Sequence, residues 1–170
     1  MMNIRNAFVY DIPEIRRLSD EIWKKVYPSV VTLDQIEYML ERIYSYDSLV
    51  QQIEELKHQF ILVQWNGENV GYASYSVKSA EEPTRFRLHK LYLQPEMHGK
   101  GLGKAMLRHI IEQILPLGAR ELELNVHKRN PSYHFYLRMG FEVEQALVLE
   151  FGPYLLDDYI MMLDLIKNPL

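Results

Sequence analysis

The chain has 170 residues, 48% of them apolar and 25% charged, with a net charge of −4 and no cysteine. That length suits one domain, 1–170, which buries about 68–70% of its unfolded surface and forms a sizeable core without staples. The missing cysteines exclude disulfide frameworks, thiolate metal sites and cysteine nucleophiles, and the acidic balance offers no field for nucleic acid. Met1-Met2-Asn3-Ile4-Arg5 is followed by no apolar signal core, and no run approaches ~18 apolar residues, so a soluble cytoplasmic protein without membrane contact is expected.

In chain order, a short strand is expected at Ile4–Phe8. Asp11-Ile12-Pro13-Glu14 then reads as a helix start, with Asp11 as N-cap and Glu14 reciprocating, ahead of Ile15, Leu18, Ile22 and Val26 on one side. Thr32-Leu33-Asp34-Gln35 is a second capping box before Ile36, Met39, Leu40 and Ile43, and a third helix is predicted over 48–57. Strand Phe60–Trp65 leads into Asn66-Gly67, a strong hairpin signal, and Val70–Val77 returns as its partner. A polar loop is expected at 79–83, then a strand over Arg85–Leu93, a glycine-rich turn and a helix over 101–117. Strand Glu121–Val126, a helix over 132–139, and strands over 142–149 and 159–164 complete a mixed α/β layer structure with helices on both faces.

The densest chemical signal is His98-Gly99-Lys100-Gly101-Leu102-Gly103-Lys104, a strand-to-helix turn with three glycines. Such a turn presents backbone N–H groups at the positive end of a helix, which favours phosphate, and Lys100 and Lys104 add charge. A Walker A loop is excluded because no Ser or Thr follows Lys104. A dinucleotide fingerprint fails because its last glycine would fall on Lys104 or Met106, although Glu121 and Glu123 lie at the distance of a ribose-binding acid. Glycines needed only for tight packing remain an alternative.

Leu91-Tyr92-Leu93-Gln94-Pro95-Glu96-Met97-His98-Gly99-Lys100-Gly101-Leu102-Gly103 closely resembles motif A of the GCN5-related N-acetyltransferase (GNAT) superfamily, with His98 where Arg or Gln is commonest. Asn130-Pro131-Ser132-Tyr133-His134-Phe135-Tyr136-Leu137-Arg138-Met139-Gly140-Phe141 resembles its motif B, with Tyr133 in place of the usual small residue. Gly140 also suits the left-handed residue closing that helix. The resemblance implies a GNAT-like mixed sheet that splays between the strands Arg85–Leu93 and Glu121–Val126. It implies acetyl-CoA as cosubstrate, its pantetheine along Leu91, Tyr92 and Leu93 and its pyrophosphate on His98, Gly99, Lys100, Gly101, Leu102, Gly103 and Lys104. Asn130 would hydrogen-bond the cofactor, the Leu91 N–H would polarise the thioester carbonyl, and Tyr136 would protonate the departing thiolate.

The implied activity is acetyl transfer to an amine, with a small primary amine such as a polyamine as acceptor and no metal. The acid-rich N-terminal helices and the net charge favour a cationic acceptor. Asp157-Asp158-Tyr159-Ile160-Met161-Met162 and the helices over 32–43 and 48–57 resemble PaiA-type polyamine acetyltransferases. A catalytically silent CoA-binding module, or an enzyme for protein N-termini, are the alternatives, as monomer or homodimer. For the general base, His89 shares a strand face with Leu91 and Leu93, and the competing role for it is that of a half-buried structural histidine.

Overall fold

A computed structural model describes residues 1–168. Seven strands, β1 (Met2–Ala7), β2 (Gln59–Trp65), β3 (Glu68–Ser79), β4 (Glu82–Leu93), β5 (Glu121–His127), β6 (Glu142–Phe151) and β7 (Tyr154–Asp164), form one sheet in the order β1-β2-β3-β4-β5-β7-β6. Among the described residues five α-helices accompany them: α1 (Ile12–Val26), α2 (Leu33–Tyr44), α3 (Tyr46–Val50), α4 (Leu102–Ile114) and α5 (Ser132–Arg138). β4 and β5 run parallel, which requires the crossover that α4 supplies; β1–β2, β2–β3, β5–β7 and β6–β7 are antiparallel. No helix among the described residues is long and apolar enough to cross a membrane.

Two compact units can be distinguished. The first comprises Met1–Ser76 with Lys90–Ile110. Its core joins Ile12, Ile15, Leu18, Ile22 and Trp23 of α1 to Ile36 and Tyr44 of α2, Leu49 of α3, and Phe60, Leu62 and Tyr72 of the strands. The expected α1 cap differs from the observed one. Asp11 occupies the N-cap without a side-chain cap bond, because its carboxylate is paired with Arg5 at 2.7 Å and accepts the Phe8 N–H at 2.9 Å, closing a 3-10 turn over Val9–Asp11. Glu14 does not reciprocate; it pairs with Arg17 and accepts from Asn69. Thr32 does cap α2, accepting the Gln35 N–H. The third helix begins two residues before the expected start, at Tyr46, and passes into a π-helical turn over Gln51–Glu55. Asn66 and Gly67 have φ of 52° and 88°, the two positive values a type I′ hairpin needs.

The second unit comprises Val77–His89 and the chain from Ile111 onward. Here the β4–β5 register joins Arg85–Arg87 to Glu121–Glu123, while β4 itself runs on to Leu93 and β5 to His127. The polar loop expected at 79–83 is shorter than that, since β3 extends to Ser79 and β4 starts at Glu82. β7 starts at Tyr154, five residues before the expected point, because Gly152 at φ 57° turns the β6–β7 hairpin and its long register recruits the preceding residues. The final helical turn of the expected 101–117 helix is a separate 3-10 turn over Leu115–Leu117, ended by Gly118 at φ 92°.

Lys90 is unexpected. Phe86, Leu88 and Lys90 form the buried face of β4, so an ammonium occupies a position in the apolar phase. Its Nζ donates to Gln52 Oε1 at 2.6 Å, with Nζ 5.6 Å from the Tyr44 ring centroid and 5.4 Å from that of Phe60. Burial pulls its pKa down from 10.5 to about 7. The native state therefore takes up this proton only near pH 7, whereas the unfolded chain carries it up to about pH 10.5. Between those values the unfolded state binds more protons, so stability rises with pH, by at most about 1.4 kcal/mol per unit from this group, and the full penalty persists below pH 7. Lys90→Met should flatten that slope. Urea denaturation at pH 6, 7.5 and 9 checks this: the slope is the readout, since the Gln52 oxygen left without its donor shifts the absolute stability at every pH alike.

Candidate functional site

In the first unit, β4 ends at Leu93 and Pro95–Met97 form a 3-10 turn. Gly99 (φ 77°) and Gly101 (φ 80°) then take left-handed backbone conformations that L side chains rarely adopt, and a Cβ built at either meets nothing within 4 Å. Packing within the protein therefore does not demand these glycines; backbone direction does, along with access for whatever approaches from outside. His98, Gly99, Lys100 and Gly101 are exposed, and the Gly101 carbonyl accepts the Ala105 N–H at 3.1 Å as α4 begins. The turn is braced from both sides: a ring nitrogen of His98 lies 3.1 Å from the Leu93 carbonyl oxygen, and the Gln94 N–H donates to the Val70 carbonyl. Lys100 directs its ammonium over Trp65, 5.8 Å from the ring centroid, while Lys104 is exposed on the first turn of α4.

Leu91, Tyr92 and Leu93 are half-buried. The Tyr92 side chain is committed to the core: its hydroxyl meets the Tyr27 hydroxyl at 3.0 Å, and its ring packs against Trp23, Tyr27 and Tyr72. What Tyr92 offers a ligand is its main chain. Gly71 permits the close approach of the neighbouring strand, for a Cβ there would stand 2.6 Å from the Tyr92 carbonyl oxygen and from Leu93 Cδ2. Tyr44 and Tyr72 share a buried 2.7 Å hydroxyl contact, and burial holds both phenols well above their ordinary range. Tyr44, Tyr72 and Tyr92 are thus packing residues.

In the second unit, Tyr136 is buried with its ring against Phe135 and Phe141. Its position follows from the helix end. Gly140 at φ 97° lets the Phe141 N–H reach the Tyr136 carbonyl and the Gly140 N–H reach that of Leu137, a Schellman closure with the Tyr136–Phe141 ring contact as its apolar partner. Asn130 is buried, and its Oδ1 accepts the Ser132 N–H at 2.9 Å, so it shapes the entry to α5. His89 is half-buried on β4, two residues past Arg87.

A relay of polar side chains, not foreseen as a set, crosses this unit. Glu123 is 2% exposed and gathers Lys78 at 3.1 Å, Arg85 at 2.7 Å and Arg87 at 2.5 Å. Burial pushes its carboxyl up, yet the hydrogen bonds of Arg85 and Lys78 and the charge of Arg87 outweigh that and leave it below the ordinary range. Arg87 also donates to Asn125 Oδ1, and Asn125 Nδ2 donates to Asp158 Oδ2 at 3.5 Å. Asp158 stands opposite His127 in the β5–β7 register. Burial lowers the His127 pKa, helped by Arg129 and Lys128, and raises that of Asp158. Among the described residues no group of three or more His, Cys, Asp or Glu side chains could hold a metal ion.

Comparison with known proteins agrees with this architecture. Residues 15–141 match the model of the acetyltransferase (GNAT) family. A spermidine N(1)-acetyltransferase of Thermoplasma acidophilum is 26% identical over 150 residues, covering 85% of this chain and 91% of that protein. An uncharacterized N-acetyltransferase, YuaI of Bacillus subtilis, is 27% identical over 137 residues, covering 80% and 78%. Among solved structures, PaiA N-acetyltransferase of T. acidophilum, in complex with coenzyme A, superposes with a TM-score of 0.82 at 24% identity over 96% of this chain and 99% of that one. The mixed α/β sheet and the family match together establish that the chain belongs to the GNAT family and is an acyl-CoA-dependent N-acetyltransferase.

Proposed function

We propose that the protein transfers the acetyl group of acetyl-CoA to a small primary amine, with polyamines foremost among the candidates. The observation that carries the cofactor assignment is the exposed turn from His98 to Gly101, where two left-handed glycines leave the space above the backbone open at the start of α4. Consecutive N–H groups at a helix start suit a pyrophosphate. Gly99, Lys100, Gly101, Leu102, Gly103 and Lys104 hold the phosphates, His98 braces the turn through the Leu93 carbonyl, and the main chain of Leu91, Tyr92 and Leu93 aligns the pantetheine. Asn130 contributes by shaping the start of α5. The polyamine assignment draws on the likeness to the spermidine acetyltransferase of T. acidophilum and on the net charge of −4.

When bound, acetyl-CoA supplies an acyl thioester. The Leu91 N–H polarises its carbonyl oxygen. The uncharged amine forms the N–C bond as the C–S bond breaks, Tyr136 gives its phenolic proton to the departing thiolate, and the proton that the nitrogen sheds to solvent is matched by the one that restores the phenol.

Gly101→Val puts a β-branched residue at φ 80° and a side chain into the open space, so CoA affinity measured by calorimetry should fall at least tenfold in a protein that still melts cooperatively. Unchanged affinity in a folded variant would move the phosphates elsewhere. Tyr136→Phe keeps the buried ring contacts with Phe135 and Phe141 while removing the proton. Its kcat should fall by about 10²–10⁴ with CoA affinity nearly unchanged. Near-normal turnover, with chemistry limiting, would give the acid role to water or another group.

A further inference from the structure

Asp158 has a property shared by no other carboxylate of the polar relay: it is 8% exposed, yet no ion pair reaches it among the described residues. The nearby cations are committed elsewhere. Arg87 divides its guanidinium between Glu123 and Asn125, Arg85 serves Glu121, Glu123 and Glu144, and Lys128 pairs with the exposed Asp157 at 2.7 Å while lying over Tyr159. A buried carboxylate without a cation is costly, and burial accordingly raises its pKa.

The Asn125 hydrogen bond and the charges of His127 and Arg87 favour the ionised carboxylate, but burial, with Asp157 adding to it, outweighs them. Arg87 can only donate, so the oxygen of the Asn125 amide must face it, and the amide nitrogen is thereby turned toward Asp158 Oδ2. That contact, at 3.5 Å, uses one oxygen weakly and leaves the other lone pairs of the carboxylate available. Across the strands, Asp158 faces His127 of β5 and Leu147 of β6, and its own strand adds only the charge of Asp157. His127 accepts the Arg129 N–H at Nδ1, so the neutral ring carries its proton on Nε2. Arg87, Asn125 and His127 are all half-buried, and His89 follows Arg87 on the same strand face. The carboxylate is thus set among half-buried polar side chains.

We propose that Asp158 is the specificity-determining residue that first receives the acceptor's primary amine as its ammonium, oriented for that role by the Arg87–Asn125 relay; the amine then loses a proton to solvent before it attacks. This rests on the acetyl-transfer reading above and names the acceptor feature it selects: a positive charge at the amine. An ammonium supplies the missing counter-charge and up to three donors to the free lone pairs, which an uncharged amine cannot match.

The test uses the full chain saturated with CoA and titrated calorimetrically with spermidine and with n-butylamine. Asp158→Asn should weaken both at least tenfold, Asp158→Glu should recover part of the loss, and Asp157→Asn should match the wild type, all with unchanged CoA affinity and melting temperature. In turnover with acetyl-CoA, methoxyamine, which is uncharged at pH 7, should keep its kcat/KM in Asp158→Asn, whereas spermidine should lose at least tenfold. Equal amine affinity in Asp158→Asn and wild type, no amine binding by the wild type, or equal losses for charged and uncharged acceptors would each overturn the assignment. Acetyl transfer that survives while Asp158→Asn is silent removes Asp158 alone. Asp158-dependent amine binding without any transfer removes the proposed reaction and leaves the binding site.

Discussion

Glu123 is the constraint on which the polar half of the molecule depends. Its carboxylate is nearly inaccessible, and three cations from β3 and β4 converge on it: Lys78, Arg85 and Arg87. A lone buried anion of this kind would cost several kcal/mol, and removing one partner from such a pair commonly costs about 3–5 kcal/mol. The convergence falls on the last residues of the β4–β5 register, where Arg87 stands opposite Glu123. Side-chain charge thus clamps the two parallel strands at the end of their main-chain pairing. Arg85 extends the clamp to Glu144 on β6 at 2.7 Å, and Arg87 extends it through Asn125 to Asp158 on β7. Five strands, β3 to β7, are therefore tied together by one set of polar side chains, and the orientation of the Asn125 amide is a consequence of it.

The first unit solves a different problem with different means. Trp23, Tyr27, Tyr44, Tyr72 and Tyr92 bring large rings together, and their hydroxyls are satisfied pairwise, Tyr27 with Tyr92 and Tyr44 with Tyr72. Pairing lets polar tips enter the core without the penalty of unmet hydrogen bonds. Gly71 and the Val70 carbonyl then bring β3 against the end of β4, so the strand that leads into the glycine turn is held firmly by its neighbour. The turn itself bears no such packing load. Gly99 and Gly101 are exposed and unopposed, which leaves the backbone there accessible to a phosphate.

Much of this was legible from local sequence because its causes are local. Asn66-Gly67, Gly99, Gly101 and Gly140 all adopt the positive φ that their contexts demanded, and Thr32 caps the helix it precedes. The two motifs, Leu91–Gly103 and Asn130–Phe141, are contiguous stretches whose backbone geometry is set within a dozen residues, and they identified the family by themselves. Asp11 misled for a local reason with a distant competitor: a good N-cap residue was taken by the guanidinium of Arg5 on the preceding strand, a stronger partner than a helix N–H.

The sequence by itself determined the order of elements, the turns, the glycine-rich strand-to-helix loop and the family, since periodicity, capping and glycine conformation act over a few residues. Tertiary structure alone decided which distant polar groups meet. Arg85 and Glu123 are 38 residues apart, as are Lys90 and Gln52, while Asn125 and Asp158 are separated by 33. Strand pairing and packing bring each of these together, and a shift of one residue would turn every side chain of a strand to the opposite face. Nothing in the local sequence marks Lys90 as buried, and the stretch over 157–162 does not show which of its two acids lacks a cation. Only the assembled fold buries Lys90 against aromatic rings and leaves Asp158, deep in the sheet, without a counter-charge.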